Sequence, residues 1–81
     1  MTLRRRTDYP DEIFGKFLAK LRIRKGLSQE ELGFQAGVHR TYVSQIERGL
    51  KSPTLNTIVR IARALKVTPG KLVSAVDRAK I

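Results

Sequence analysis

Between Ser28 and Gly49 the chain reads Ser-Gln-Glu-Glu-Leu-Gly-Phe-Gln-Ala-Gly-Val-His-Arg-Thr-Tyr-Val-Ser-Gln-Ile-Glu-Arg-Gly, and no other stretch restricts the fold as tightly. Two short amphipathic segments, each opened by a start signal and closed by a glycine, flank Gly37-Val38-His39, a gap that suits a tight turn between helices. The first segment opens with Ser28 at the cap and Glu31 three residues later, which makes a capping box, while Leu27 and Leu32 are spaced to close a hydrophobic staple. Such a cap is worth about 0.5–2 kcal/mol. Leu32 and Ala36 then face a core, Gly33 permits close packing, and Gly37 can take the left-handed turn conformation.

The second segment, 40–48, separates by angle at about 100° per residue. With Arg40 at zero, Ser44, Arg48, Thr41 and Gln45 fall within an arc of roughly 140°, and Val43 and Ile46 lie on the other side. One face packs and the other offers hydrogen-bonding groups. Arg binds guanine through two bonds, Gln binds adenine, and Thr meets the thymine methyl, so Arg40, Thr41, Ser44 and Gln45 are candidates to contact bases. Arg48 shares that face and is a candidate for phosphate. Gln29 sits in the first turn of the preceding segment, where backbone N–H groups are polarised towards an anion such as phosphate. Tyr42 borders the apolar side, where it either packs or extends its hydroxyl to a phosphate. His39 precedes Arg40 at the expected cap; histidine is not a preferred cap, so a phosphate contact competes there with no role at all.

The remaining chain supplies three more helices. Ile13, Phe14, Phe17, Leu18 and Leu21 recur at helical spacing from Glu12, and Gly26 marks the end of that helix. Lys16, Lys20, Arg24 and Lys25 lie off the stripe, as a solvated face. Residues 1–11 hold three consecutive arginines and Pro10 without periodicity, and are expected to form a flexible basic arm, either solvated or touching DNA. Thr54 caps a fourth helix with the stripe Leu55, Ile58, Ala62 and Leu65. Thr68, Pro69, and the staple pair Val67 and Leu72 open a fifth. Leu72, Val73 and Val76 on it serve either a dimer interface or the monomer core. The expectation is an all-α, compact five-helix domain over 12–81.

The chain carries 17 Lys and Arg against 7 Asp and Glu, a net charge of +10, which points to a polyanion such as nucleic acid. It contains no cysteine and one histidine; with no phosphate-binding glycine loop and no clustered carboxylates, it offers nothing from which to build an active site, metal site or cofactor site. No apolar run approaches the ~18 residues of a membrane span. After Arg4-Arg5-Arg6 come Thr7-Asp8-Tyr9-Pro10-Asp11-Glu12, where a signal peptide would need apolar residues. A cytoplasmic protein with neither membrane partner nor small-molecule ligand is expected.

The pattern Arg22-Ile23-Arg24-Lys25-Gly26-Leu27-Ser28-Gln29-Glu30-Glu31-Leu32, then Ala36-Gly37-Val38, Val43-Ser44-Gln45-Ile46-Glu47-Arg48-Gly49, Pro53-Thr54-Leu55 and Ile61-Ala62 resembles the lambdoid phage repressor and Cro type of helix-turn-helix regulator, the xenobiotic-response-element family. The resemblance implies a repressor-like domain with Gln29 on a phosphate and Arg40, Thr41, Ser44 and Gln45 facing bases in the major groove. It further implies a buried ion pair between Arg22 and Glu47, and a backbone grip by Lys51, Ser52 and Asn56. Within the family, His39-Arg40-Thr41-Tyr42-Val43-Ser44 looks closest to the controller proteins of restriction-modification systems, which implies a homodimer on double-stranded DNA that regulates its own operon. A phage Cro-like or antitoxin-like regulator would share the pattern. A protein-interaction module on the same fold is the rival of another class, and it would be expected to lose the basic, acid-free face that this chain keeps.

Overall fold

The computed structural model describes residues 4–78, with side chains from Pro10 onward. Five helices follow one another: α1 (Arg4–Arg24), α2 (Gln29–Ala36), α3 (Arg40–Glu47), α4 (Leu55–Leu65) and α5 (Pro69–Arg78). No strand occurs among the described residues. α1 packs on α3 and α5, α2 on α3 and α4, and α4 on α5.

The core takes one stripe from each helix. Phe14, Leu18 and Leu21 of α1 meet Leu32 and Ala36 of α2, Val43 and Ile46 of α3, Ile61, Ala62 and Leu65 of α4, and Leu72 of α5, all buried. Three expectations change here. The helix expected from Glu12 begins at Arg4, so 4–11 is helical backbone rather than a flexible arm, and Pro10 lies inside it; residues 1–3 of that arm lie outside the described residues. Proline's fixed φ is itself helical, and what it forfeits is a single N–H donor and local straightness. Leu55, placed on the inner stripe of α4, is 74% exposed, because it opens the helix beyond the edge of the core. The buried Thr57 is the inward residue of that first turn, its hydroxyl bonded to that of Thr54 at 3.0 Å. Leu72 is fully buried and Val76 packs against the core, so of the three residues offered for a dimer interface Leu72 has no surface to give. Val73 is 46% exposed.

Helix ends are closed by local chemistry. At the start of α2 the Ser28 hydroxyl accepts the Glu31 N–H at 2.9 Å, and the Glu31 carboxylate accepts the Ser28 N–H at 2.8 Å. At its end Gly37 sits at φ 76°, with the Val38 N–H donating to Gly33 and the Gly37 N–H to Phe34, the paired bonds of a Schellman turn. α4 ends with the same pair of bonds, Val67 to Ala62 and Lys66 to Arg63. There the left-handed position is held by Lys66, at φ 61°, a conformation that costs a side-chain-bearing residue about 1–2 kcal/mol.

Two glycines let backbones touch. A Cβ at Gly15 of α1 would overlap the carbonyl oxygens of Ile46 and Glu47, and one at Gly33 of α2 would come within 2.6 Å of the Val38 carbonyl oxygen. α3 is therefore mounted at both ends on glycine.

The ion pair implied for Arg22 and Glu47 is formed between α1 and the last residue of α3. Arg22 Nε donates to Glu47 Oε2 at 2.6 Å and Nη2 to Oε1 at 3.0 Å. Nη1 donates to the Leu27 carbonyl at 2.9 Å, and Gln29 Nε2 to Glu47 Oε1 at 2.9 Å. The side chains are only 12% and 6% exposed, so the lone pairs and donors must be satisfied internally, as they are.

Three substitutions test this framework by urea or thermal unfolding. Gly15→Ala should destabilise by about 1–3 kcal/mol, the cost of overpacking against atoms that cannot turn aside. Lys66→Gly should stabilise by about 0.5–1 kcal/mol, since relief of the left-handed strain outweighs the entropy glycine adds to the unfolded chain. Glu47→Ala should cost about 3–5 kcal/mol by leaving a buried guanidinium without its partner.

Candidate nucleic-acid interface

The outer side of the α2–turn–α3 unit carries the candidate contacts. α3 is capped by His39, whose Nδ1 accepts the Thr41 N–H at 3.0 Å. Histidine thus does the work that the cap preferences assign to Ser or Asn, and in the accepting ring the outward nitrogen, Nε2, bears the proton. That leaves a donor at the mouth of the helix. From this cap Val43 and Ile46 turn into the core while Arg40, Thr41 and Arg48 are exposed and Ser44 and Gln45 half-buried. The polar arc read from angles is the outer face of α3.

Neighbouring groups constrain each member. Arg40 Nη1 lies 3.2 Å from Glu30 Oε1. Arg48 Nε donates to the Ser44 hydroxyl at 3.3 Å, which ties two residues of one face across a helical turn. Tyr42 is half-buried and packs against the core, the packing alternative of its two readings. Gln29 is at the first position of α2, yet its side-chain amide is committed to Glu47. What remains for an anion there is the helix end itself, since Ser28 Oγ takes the Glu31 N–H and the N–H groups of Gln29 and Glu30 have no intrahelical acceptor. Lys51 and Ser52 in the loop after α3, and Asn56 in the first turn of α4, are all exposed.

Electrostatically the unit is biased to one sign. Its cations stand on the outer arc, while the carboxylate of Glu47 is turned inward to Arg22 and that of Glu31 is used by the capping box. Two contributors escaped sequence reasoning. Gly15 has no local signal, because its neighbours are helix formers and the constraint comes from α3. Glu30 stands ten residues before Arg40, a separation no single-helix pattern detects, and only the turn brings the two together. Among the described residues no group of His, Cys, Asp and Glu is arranged to hold a metal ion, and no helix is long and apolar enough to cross a membrane.

Known proteins share this arrangement. The family described as helix-turn-helix matches residues 18–72. Control protein C.BamHI of Bacillus amyloliquefaciens is 43% identical over 61 residues, spanning 74% of this chain and 75% of its own. Control protein C.SmaI of Serratia marcescens is 36% identical over 63 residues, 78% of this chain and 75% of its own. Among solved structures, the restriction-modification controller protein C.AhdI from Aeromonas hydrophila superposes with a TM-score of 0.74 at 44% identity, covering 75% of this chain and 92% of that one. By pattern, fold and these relatives, the chain belongs to the helix-turn-helix family of the xenobiotic-response-element type.

Proposed function

We propose that the protein is a sequence-specific DNA-binding transcriptional regulator that inserts α3 into the major groove. The observation that carries this reading is the outer face of α3, which presents Arg40, Thr41, Ser44, Gln45 and Arg48 with no acid among them, on a helix mounted rigidly from behind. Arg40, Thr41, Ser44 and Gln45 meet base edges. His39 Nε2, the N-terminus of α2 at Gln29, Arg48, Lys51, Ser52 and Asn56 meet phosphates and set the register, while Tyr42 supports the helix and brings its hydroxyl to the same rim.

One eight-residue helix reads too few bases for strong discrimination. Two copies on half-sites about 34 Å apart remedy that, and the exposed Val73 with the outer edge of Val76 supplies apolar surface for the pairing. The similarity to control proteins and to a restriction-modification controller supports a place in control of a restriction-modification operon, including the regulator's own gene, in the cytoplasm, without cofactor or enzymatic activity.

Selection of bound sites from a random DNA pool is the direct experiment: two related half-sites in inverted order are the expected product, and a single asymmetric site would overturn the dimer. Arg40→Ala should cost about 1–3 kcal/mol on the selected site and relax preference at one base position, whereas Lys51→Ala should weaken all sequences alike and lower the salt slope by about one. Titrations of both variants on matched and scrambled duplexes check this, and an unaltered preference in Arg40→Ala would remove α3 from the reading role.

A further inference from the structure

Three acids lie between Ser28 and Gly49: Glu30, Glu31 and Glu47. Glu31 closes the capping box through the Ser28 N–H. Glu47 holds Arg22 and Gln29. Glu30 alone spends its carboxylate on the DNA-facing surface, 3.2 Å from the Arg40 guanidinium, with the two side chains 72% and 62% exposed. An ion pair so open to water adds little to the stability of the fold. Its effect falls on what Arg40 can bind.

We propose that Glu30 is a specificity-determining residue that acts through Arg40, restraining it from indiscriminate phosphate binding while leaving it competent to read a base. This rests on α3 being the DNA-reading helix. On unmatched DNA an arginine gains affinity chiefly by neutralising a phosphate and releasing a counterion. With Glu30 beside it, the guanidinium's charge is partly compensated, and the carboxylate repels any phosphate that approaches the same group. At a matched site the partner is guanine, whose N7 and O6 are uncharged acceptors, so the carboxylate opposes that contact less than it opposes a charged phosphate. It also limits the wandering of a long side chain, and the remaining N–H groups of the guanidinium stay available to the base edge. Glu30 therefore weakens the non-specific complex more than the specific one.

The test uses the full chain and two duplexes, one carrying the site selected from a random pool and one of scrambled sequence, titrated across a salt series. Glu30→Gln keeps the size and first-turn position of the side chain and removes only its charge. On the scrambled duplex it should tighten binding about two- to fivefold, the range an exposed pair supports, and steepen the log–log salt slope by about 0.9, one further phosphate neutralised. The selected duplex should change less, so the ratio of the two affinities should fall, by at most about fivefold. In an Arg40→Ala background Glu30→Gln should change neither the ratio nor the slope difference, because the coupling runs through the guanidinium. Equal tightening on both duplexes, or an effect that persists without Arg40, would overturn the proposal. The two readings fail separately: Arg40→Ala that relaxes base preference while Glu30→Gln leaves the ratio unchanged refutes only the role of Glu30, whereas Arg40→Ala with preference intact refutes the reading of α3.

Discussion

The buried pair between Arg22 and Glu47 fixes where everything else in this protein can be. It joins the C-terminal part of α1 to the last residue of α3 and, through Gln29 and the Leu27 carbonyl, draws in the start of α2. Two charges removed from water repay their desolvation only when geometry and remaining hydrogen bonds are satisfied, and here four donors from two side chains converge on one carboxylate and one carbonyl. The consequence is a single relative pose of three helices. An apolar substitute could hold them together, but it would not specify the direction in which α3 points.

That pose explains the division of polar residues. Glu47, Glu31, Gln29 and the His39 ring are engaged in caps and bridges, so the outward surface carries Arg40, Thr41, Ser44, Gln45, Arg48 and the loop residues Lys51 and Ser52, with Glu30 beside Arg40. The positive field of this surface comes from where the arginines stand and from the inward turn of Glu47 to Arg22. With 17 cations and 7 acids in the chain, three of those acids lie within the helix-turn-helix, and two of the three are consumed internally.

Legibility in the sequence followed the range of the interaction. Ser28, Glu31, Gly37, Thr54 and Thr68 mark helix ends through bonds to residues at most five positions away, and Pro69 through its fixed φ; α2 begins and ends, and α4 and α5 begin, where the pattern places them. The outer arc of α3 was equally legible, since a single period of the helix decides it. Long-range features were not. Pro10 reads as a boundary because local rules penalise it, although the helix continues through it. Leu55 and Leu72 fit the same apolar periodicity, yet one is at the rim of the core and the other at its centre, a difference set by helices elsewhere in the chain. Gly15 and Glu30 gain their meaning only when the turn has folded α3 against α1 and α2. The Arg22–Glu47 pair, 25 residues apart, entered through family resemblance and not through spacing.

The mounting of α3 on Gly15 and Gly33 has a consequence for how such a protein can change over generations. Both seats are contacts to main chain: the helix meets Gly15 through the carbonyls of Ile46 and Glu47, and meets Gly33 through the Val38 carbonyl and the backbone of Arg40. Neither seat senses which side chains stand on the outer arc. If the outer arc reads DNA as proposed, exchanges at residues 40, 41, 44 and 45 leave both backbone seats in place, so operator preference can drift along a lineage while the scaffold stays the same, and a duplicated copy can acquire a new target without first acquiring a new fold.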